Sequence, residues 1–103
     1  MATNLILFGL SGFNSGKVKN LTAWASKLPG TAVVLMEDGI MGSVKPHAEA
    51  IAPMTPYAGL LAANVSVHAV SEDLTARGYE PAALHDGIQP LSYSNLIDLI
   101  ESS

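Results

Sequence analysis

The sequence predicts an α/β fold, a three-layer α/β/α arrangement in which helices cover a mainly parallel sheet of four or five strands. Three observations predict it. Apolar runs at 4–8, 31–36 and 65–70 have strand length and are bounded by turn-forming residues. Between them, apolar residues recur at three- and four-residue steps, the period of a helix packed on one side. Strands and helices alternate along the chain, the order produced by parallel strands joined through right-handed helical crossovers. With 103 residues the chain has material for one hydrophobic core, so residues 1–103 are expected to form a single domain.

Each element has its own justification. Asn4-Leu5-Ile6-Leu7-Phe8 is nearly continuously apolar and stops at Gly9, the pattern of a strand buried on both faces. Gly9, Gly12, Asn14 and Gly16 make the next stretch a turn-rich loop. From Lys17 onward, Val18, Leu21, Trp24, Ala25 and Leu28 mark the packed face of a helix that Pro29-Gly30 ends. The second strand, 31–36, stops at Glu37-Asp38-Gly39. Pro46, Pro53 and Pro56 punctuate the middle, where short helices are expected over 46–51 and 57–63, with Pro46 and Pro56 near first-turn positions. In the third strand, 65–70, Ser66 and His68 alternate with valines, so one face tolerates polar groups. Ser71 reads as the N-cap of the following helix, with Glu72 and Asp73 in its electropositive first turn. Arg77 and Gly78 close that helix, Gly78 at the position that favours positive φ. One helical turn is expected at 81–84. Ile88 to Leu91 then form a strand that Pro90, lacking an N–H, confines to an edge. Ser92 caps the last helix, whose Tyr93, Leu96, Ile97, Leu99 and Ile100 give a broad apolar face.

Composition bounds the function. Hydrophobic residues make up 49% of the chain and charged residues 14%, against about 25% in an average domain. So little charge leaves apolar surface exposed on a small sphere, and an oligomer is expected to cover it. No apolar run approaches the ~18–20 residues of a membrane span, and no basic leader precedes the 5–8 run. Without cysteine an oxidising compartment offers no disulfide, so a cytoplasmic protein is expected, with no membrane partner. The net charge is −4, with Lys17, Lys19 and Lys27 early and six carboxylates against Arg77 in the last third. A nucleic-acid surface gathers Lys and Arg on one face, so no direct nucleic-acid partner is expected.

In open parallel sheets ligands bind beyond the carboxyl ends of the strands. Here that means the loops at 9–16, 37–42, 70–73 and 91–93. Glu37, Asp38, Gly39, Val70, Ser71 and Glu72 are therefore the candidate cleft or interface residues. Gly12, Ser15, Gly16 and Lys17, at a helix N-terminus, are the candidate anion-binding set. They do not make a nucleotide-triphosphate loop: Ser11 stands where its first glycine belongs, and Val18 where a magnesium-binding Ser or Thr belongs. Adjacent carboxylates such as Glu37 and Asp38 do not converge naturally on one substrate atom. His47, His68 and His85 share no metal-ligand spacing, and neither Ser11 nor Ser15 sits in a nucleophile elbow. No metal, no cofactor and no independent catalytic activity are expected.

Three segments, in order, resemble the DsrE/DsrF/DsrH sulfur-relay superfamily, and particularly its DsrH (TusB-like) branch. The first is Val34-Leu35-Met36-Glu37-Asp38-Gly39-Ile40, a strand ending in an acidic turn. The second and most specific runs from Val67-His68-Ala69-Val70 through Ser71-Glu72-Asp73-Leu74-Thr75-Ala76-Arg77-Gly78. The third is Leu91-Ser92-Tyr93-Ser94-Asn95-Leu96-Ile97-Asp98-Leu99. The likeness starts at Thr31 and leaves 43–57 unmatched.

The resemblance implies a DsrEFH-like domain with flavodoxin-like layering, assembled with DsrE- and DsrF-like subunits or with itself. It also implies a place in sulfur oxidation or in tRNA wobble-uridine thiolation, where sulfur passes between proteins as a cysteine persulfide. In the DsrE branch that cysteine lies near the end of the third strand, where this chain has Val70. DsrH-like members often carry one in the first loop, where it has Ser11 and Ser15. A persulfide needs a thiolate, so the expectation is a non-carrier subunit that supports a partner's cysteine. The competing expectation is a homo-oligomeric protein that binds a small anion or nucleotide through Gly12, Ser15 and Lys17.

Overall fold

The computed structural model describes residues 4–44 and 55–102. The elements are β1 (Asn4–Phe8), α1 (Ser15–Lys27), β2 (Thr31–Leu35), a 3-10 turn (Glu37–Ile40) and α2 (Ala58–Ala62). They continue with β3 (Ser66–Val70), α3 (Ser71–Ala76), a second 3-10 turn (Pro81–Ala83), β4 (Ile88–Leu91) and α4 (Tyr93–Ser102). The helix expected over 46–51 lies outside the described residues.

The four strands are all parallel and stand in sequence order, β1-β2-β3-β4. Asn4 lies opposite Thr31, Ala32 opposite Ser66 and Val67 opposite Ile88. That order dictates the layers. Each right-handed crossover steps one strand in the same direction, so every connecting helix lands on the same face of the sheet. On that face Val33, Leu35, Val67 and Ala69 meet Val18, Leu21 and Ala25 of α1, Leu60 of α2 and Leu74 of α3. Among the described helices only α4, which follows the last described strand, lies on the other face, where Leu96, Leu99 and Tyr93 pack with Leu5, Val34 and Val70. The result is the expected three layers.

Several local expectations change. β1 is an edge strand and is half-buried, not covered on both faces. A single helix about 10 Å across cannot cover four strands spaced about 4.8 Å apart, so Leu7 on the α4 side stays 48% exposed. For the same reason the broad apolar face of α4 is only partly used: Leu96 is buried, while Ile97 and Ile100 remain 55% and 48% exposed. Trp24, expected in the packed stripe of α1, is 69% exposed and leans over the open edge of β1 beside Leu5 and Leu7.

Helix ends follow the local chemistry. α1 starts two residues earlier than expected because Asn14 caps it, its Oδ1 accepting the Lys17 N–H at 3.2 Å. Ser71 is not an N-cap. β3 runs into α3 without a loop, so Val70 takes the cap position and Ser71 becomes the first helical residue. The end of α3 is as expected: Gly78 has φ +83, and the Tyr79 N–H reaches back to the Leu74 carbonyl at 3.1 Å. Asn64 ends α2 the same way, with φ +60 and the Val65 N–H on the Leu60 carbonyl. Ser92 does cap α4, its Oγ accepting the Asn95 N–H at 3.1 Å.

Candidate functional site

All four strands finish at one end of the sheet, and close contacts between successive loops shape that end. The Met36 N–H donates to the Phe8 carbonyl, and the Gly12 N–H to the Met41 carbonyl, both at 3.0 Å. Gly39 lies against the last carbonyl of β1: a Cβ there would stand 2.2 Å from the Phe8 oxygen, so space alone requires glycine. Tyr57, fully buried, donates its hydroxyl to the Gly39 carbonyl at 2.7 Å and meets the Phe8 ring edge-on. Burial pushes the Tyr57 phenol pKa well above its ordinary value.

Around this frame stands a cluster of carboxylates organised by Asp73 and Tyr93. Glu37 has φ +51, a left-handed backbone uncommon outside glycine, and its N–H donates to Asp73 Oδ2 at 2.7 Å. The other Asp73 oxygen accepts the Tyr93 hydroxyl, also at 2.7 Å. One oxygen of Glu72 accepts the Tyr93 backbone N–H at 3.0 Å and the Ser71 hydroxyl at 3.3 Å. Arg77 pairs with Asp38 at 3.0 Å on the exposed rim. The Tyr93 phenol is pushed up to about 12, first by its hydrogen bond to Asp73, then by desolvation and by the charges of Asp73, Glu37 and Glu72.

The structure thus brings Glu37, Asp38, Ser71 and Glu72 to one end of the sheet, with Gly39 and Val70 buried beneath them. Asp73 and Tyr93, the residues that tie the cluster together, are absent from the sequence-based set. A tyrosine directly after a serine cap at a strand end was the available signal. Chemically the cluster is acidic and rich in acceptors, because the hydroxyl hydrogens of Ser71 and Tyr93 already go to carboxylates. The strand order never reverses, so adjacent loops do not part to form the crevice that holds ligands in doubly wound sheets. What opens here is a shallow depression of about 380 Å³ beside Ser71, Glu72 and Thr75.

The first loop turns most of its donors inward. The N–H groups of Gly12, Phe13, Asn14 and Lys17 bond Met41 O, Ser11 Oγ, Ser11 O and Asn14 Oδ1. Gly12 is buried against the 3-10 turn, where a Cβ would meet the Met41 oxygen at 2.3 Å, while Ser15, Gly16 and Lys17 are exposed at the start of α1. Among the described residues no group of three or more His, Asp or Glu side chains could hold a metal ion. Nor is any described helix long and apolar enough to cross a membrane.

Comparison with known proteins agrees with the fold. The model of a family described as DsrH like protein matches residues 11–103, which takes in the first loop as well as the segments from Thr31 onward. The structure is similar to the solution NMR structure of protein Tm0979 from Thermotoga maritima, with a TM-score of 0.62 and 22% sequence identity. The superposition covers 100% of this chain and 94% of that one. No curated protein matches the chain.

Proposed function

Because the chain belongs to the DsrH-like family, whose members are sulfur-relay subunits, we propose that it is a cytoplasmic non-carrier subunit of a sulfur-relay complex. It docks against DsrE- and DsrF-like partners, in sulfur oxidation or tRNA wobble-uridine thiolation, and supports the cysteine on which a partner carries persulfide. One observation carries this reading: the chain has no cysteine, and persulfide transfer requires a thiolate. Ser11 lies in the first loop, Ser15 opens α1 and Val70 ends β3, and none of these can hold sulfane sulfur.

Two further features support a docking role. Glu37, Glu72 and Asp73 make the strand ends a field that repels a persulfide anion but suits Lys or Arg side chains of a partner. Leu7, Trp24, Ile97 and Ile100 leave apolar surface on the open edge and the thinly covered face. That surface is suited to burial against another subunit. The anion-binding alternative has less behind it, since most of the first-loop donors that would cradle a phosphate already bond within the protein.

The test is co-expression with DsrE- and DsrF-like proteins encoded beside it, followed by native mass measurement and treatment with a sulfane donor. The expected result is a mixed complex in which the added sulfur sits on a partner cysteine. A lone monomer indifferent to those partners, or sulfur covalently attached to this chain, overturns the proposal.

A further inference from the structure

The edge strand β1 holds one row of backbone groups turned away from the sheet. In a parallel pair, a residue that bonds its neighbour turns both N–H and C=O toward it, and the residues between turn both away. The Asn4 N–H donates to the Gly30 carbonyl and the Phe8 carbonyl accepts the Met36 N–H, so Asn4, Ile6 and Phe8 serve β2. Leu5 and Leu7 therefore direct their N–H and C=O groups out of the edge, where no described strand meets them. Open edges are commonly blocked by a charge, a proline or a bulge. The opposite edge, β4, carries Pro90, whereas Asn4-Leu5-Ile6-Leu7-Phe8 has no such device and keeps an unbroken register with β2.

The helix flank beside this edge is complementary to itself. α1 runs back against β1 and places Lys17, Asn20 and Trp24 at i, i+3 and i+7, on one side of the helix. With β1 they line an open, largely apolar groove of about 420 Å³, and Trp24 is 69% exposed. A two-fold axis through Ile6, perpendicular to the sheet, sets a second β1 antiparallel to the first. Leu5 then lies opposite the partner's Leu7, and Leu7 opposite the partner's Leu5, each pair exchanging two hydrogen bonds through the groups that now point outward. Opposed side chains share a face, so leucine packs on leucine on the α4 side. On the other side the two α1 helices come about 10 Å apart, the spacing at which helices pack. Asn20 falls near the axis, and Lys17 of each copy meets the partner's Trp24, a cation against the negative face of an indole. The strip is about 20 Å long, the length of α1, and its burial comes to roughly 1,000 Å² in total, the lower bound for a specific interface.

We propose that the β1 edge and the Lys17–Trp24 flank of α1 bind a second copy of this chain, joining two four-stranded sheets into one of eight strands. An interface of this size forms at high concentration and comes apart on dilution. It leaves the carboxylate cluster uncovered and is independent of the sulfur-relay reading.

The experiment uses the lone, intact chain, by sedimentation equilibrium from micromolar to millimolar concentration and by NMR on a mixture of isotope-labelled and unlabelled chains. The expected result is a monomer–dimer equilibrium, with Leu5 and Leu7 amide exchange slowing as the dimer fills and an intermolecular contact between the two Ile6 Hα atoms. Trp24→Glu and Leu7→Lys, both at exposed positions, should each weaken the dimer at least about tenfold, and Ile97→Glu on α4 should leave it unchanged. A chain that stays monomeric at millimolar concentration overturns the proposal. So does a dimer that survives Trp24→Glu and Leu7→Lys, or one that Ile97→Glu abolishes. A lone monomer that still joins DsrE- and DsrF-like partners would overturn this pairing while leaving the sulfur-relay reading intact.

Discussion

Replacing Asp73 with asparagine removes the charge that joins the 3-10 turn after β2, α3 and α4 at the strand ends. Its two oxygens accept hydrogen bonds of 2.7 Å from different elements, the Glu37 N–H and the Tyr93 hydroxyl. Hydrogen bonds to a charged acceptor contribute roughly 1.5–3 kcal/mol each when protected from water. Asp73 is only half-buried and asparagine keeps one acceptor oxygen, so the expected loss is about 1–2 kcal/mol in a urea melt at neutral pH. The pH dependence separates this bond from general damage. Tyr93 titrates at about 12 in the folded protein against 10.0 unperturbed. Between those values the folded state keeps a proton that the unfolded state gives up, so stability falls as pH rises through that window. In Asp73→Asn the leading cause of the shift is gone, Tyr93 titrates closer to 10.0, and this part of the alkaline slope shrinks. The burial-driven rise of Tyr57 persists in both proteins, so the difference between them reports Tyr93. NMR of isotope-labelled tyrosine rings reads the titration directly. A variant as stable as the parent, with Tyr93 still titrating near 12, would refute the placement of this carboxylate.

Two substitutions test the frame beneath the cluster. Gly39→Ala should cost about 3 kcal/mol, because the added Cβ meets the Phe8 backbone oxygen at 2.2 Å and a backbone atom cannot swing aside; an unchanged urea midpoint would show that the turn does not lie against β1. Tyr57→Phe should cost about 1–3 kcal/mol by leaving the Gly39 carbonyl without its hydroxyl donor, and should also flatten the fall in stability above about pH 10. A loss near zero in that melt, with the alkaline slope intact, would mean that the hydroxyl is not buried on Gly39.

The elements were legible in the sequence because period and punctuation are local. Pro29-Gly30 and Gly78 stop helices where the structure stops them, and Pro90 marks an edge strand because a missing N–H matters only on the paired side of a sheet. Strand order is not local, and the reading of β1 as buried on both faces failed on it. Asn4–Phe8 has the composition of a central strand but pairs only with β2 among the described residues. Ser71 misled for a related reason: its sequence suits a cap, but β3 leaves no loop residue to serve as one. The candidate site was half legible. Glu37, Asp38, Ser71 and Glu72 follow from knowing where strands end. Asp73 looked like a dipole charge and Tyr93 like part of an apolar stripe, and their bond spans 20 residues that no short-range pattern connects.

The failed reading of β1 and the low charge content have a common physical origin. A parallel sheet is normally covered on both faces, and its strands are correspondingly apolar. Here sequential strand order sends the crossover helices to one face and, among the described residues, leaves the other to α4. The chain nevertheless keeps Leu7 on that face, Ile97 and Ile100 on the helix above it, and Trp24 over the β1 edge. Polar residues at these places would stabilise a free monomer in water and would raise the unusually small charged fraction. Their apolar area would be stabilised by whatever removes it from solvent. A second subunit over the β1 edge and the α4 face would complete the missing half-layer. In the proposed complex, a subunit covered in this way would support its partners' chemistry without a thiol of its own.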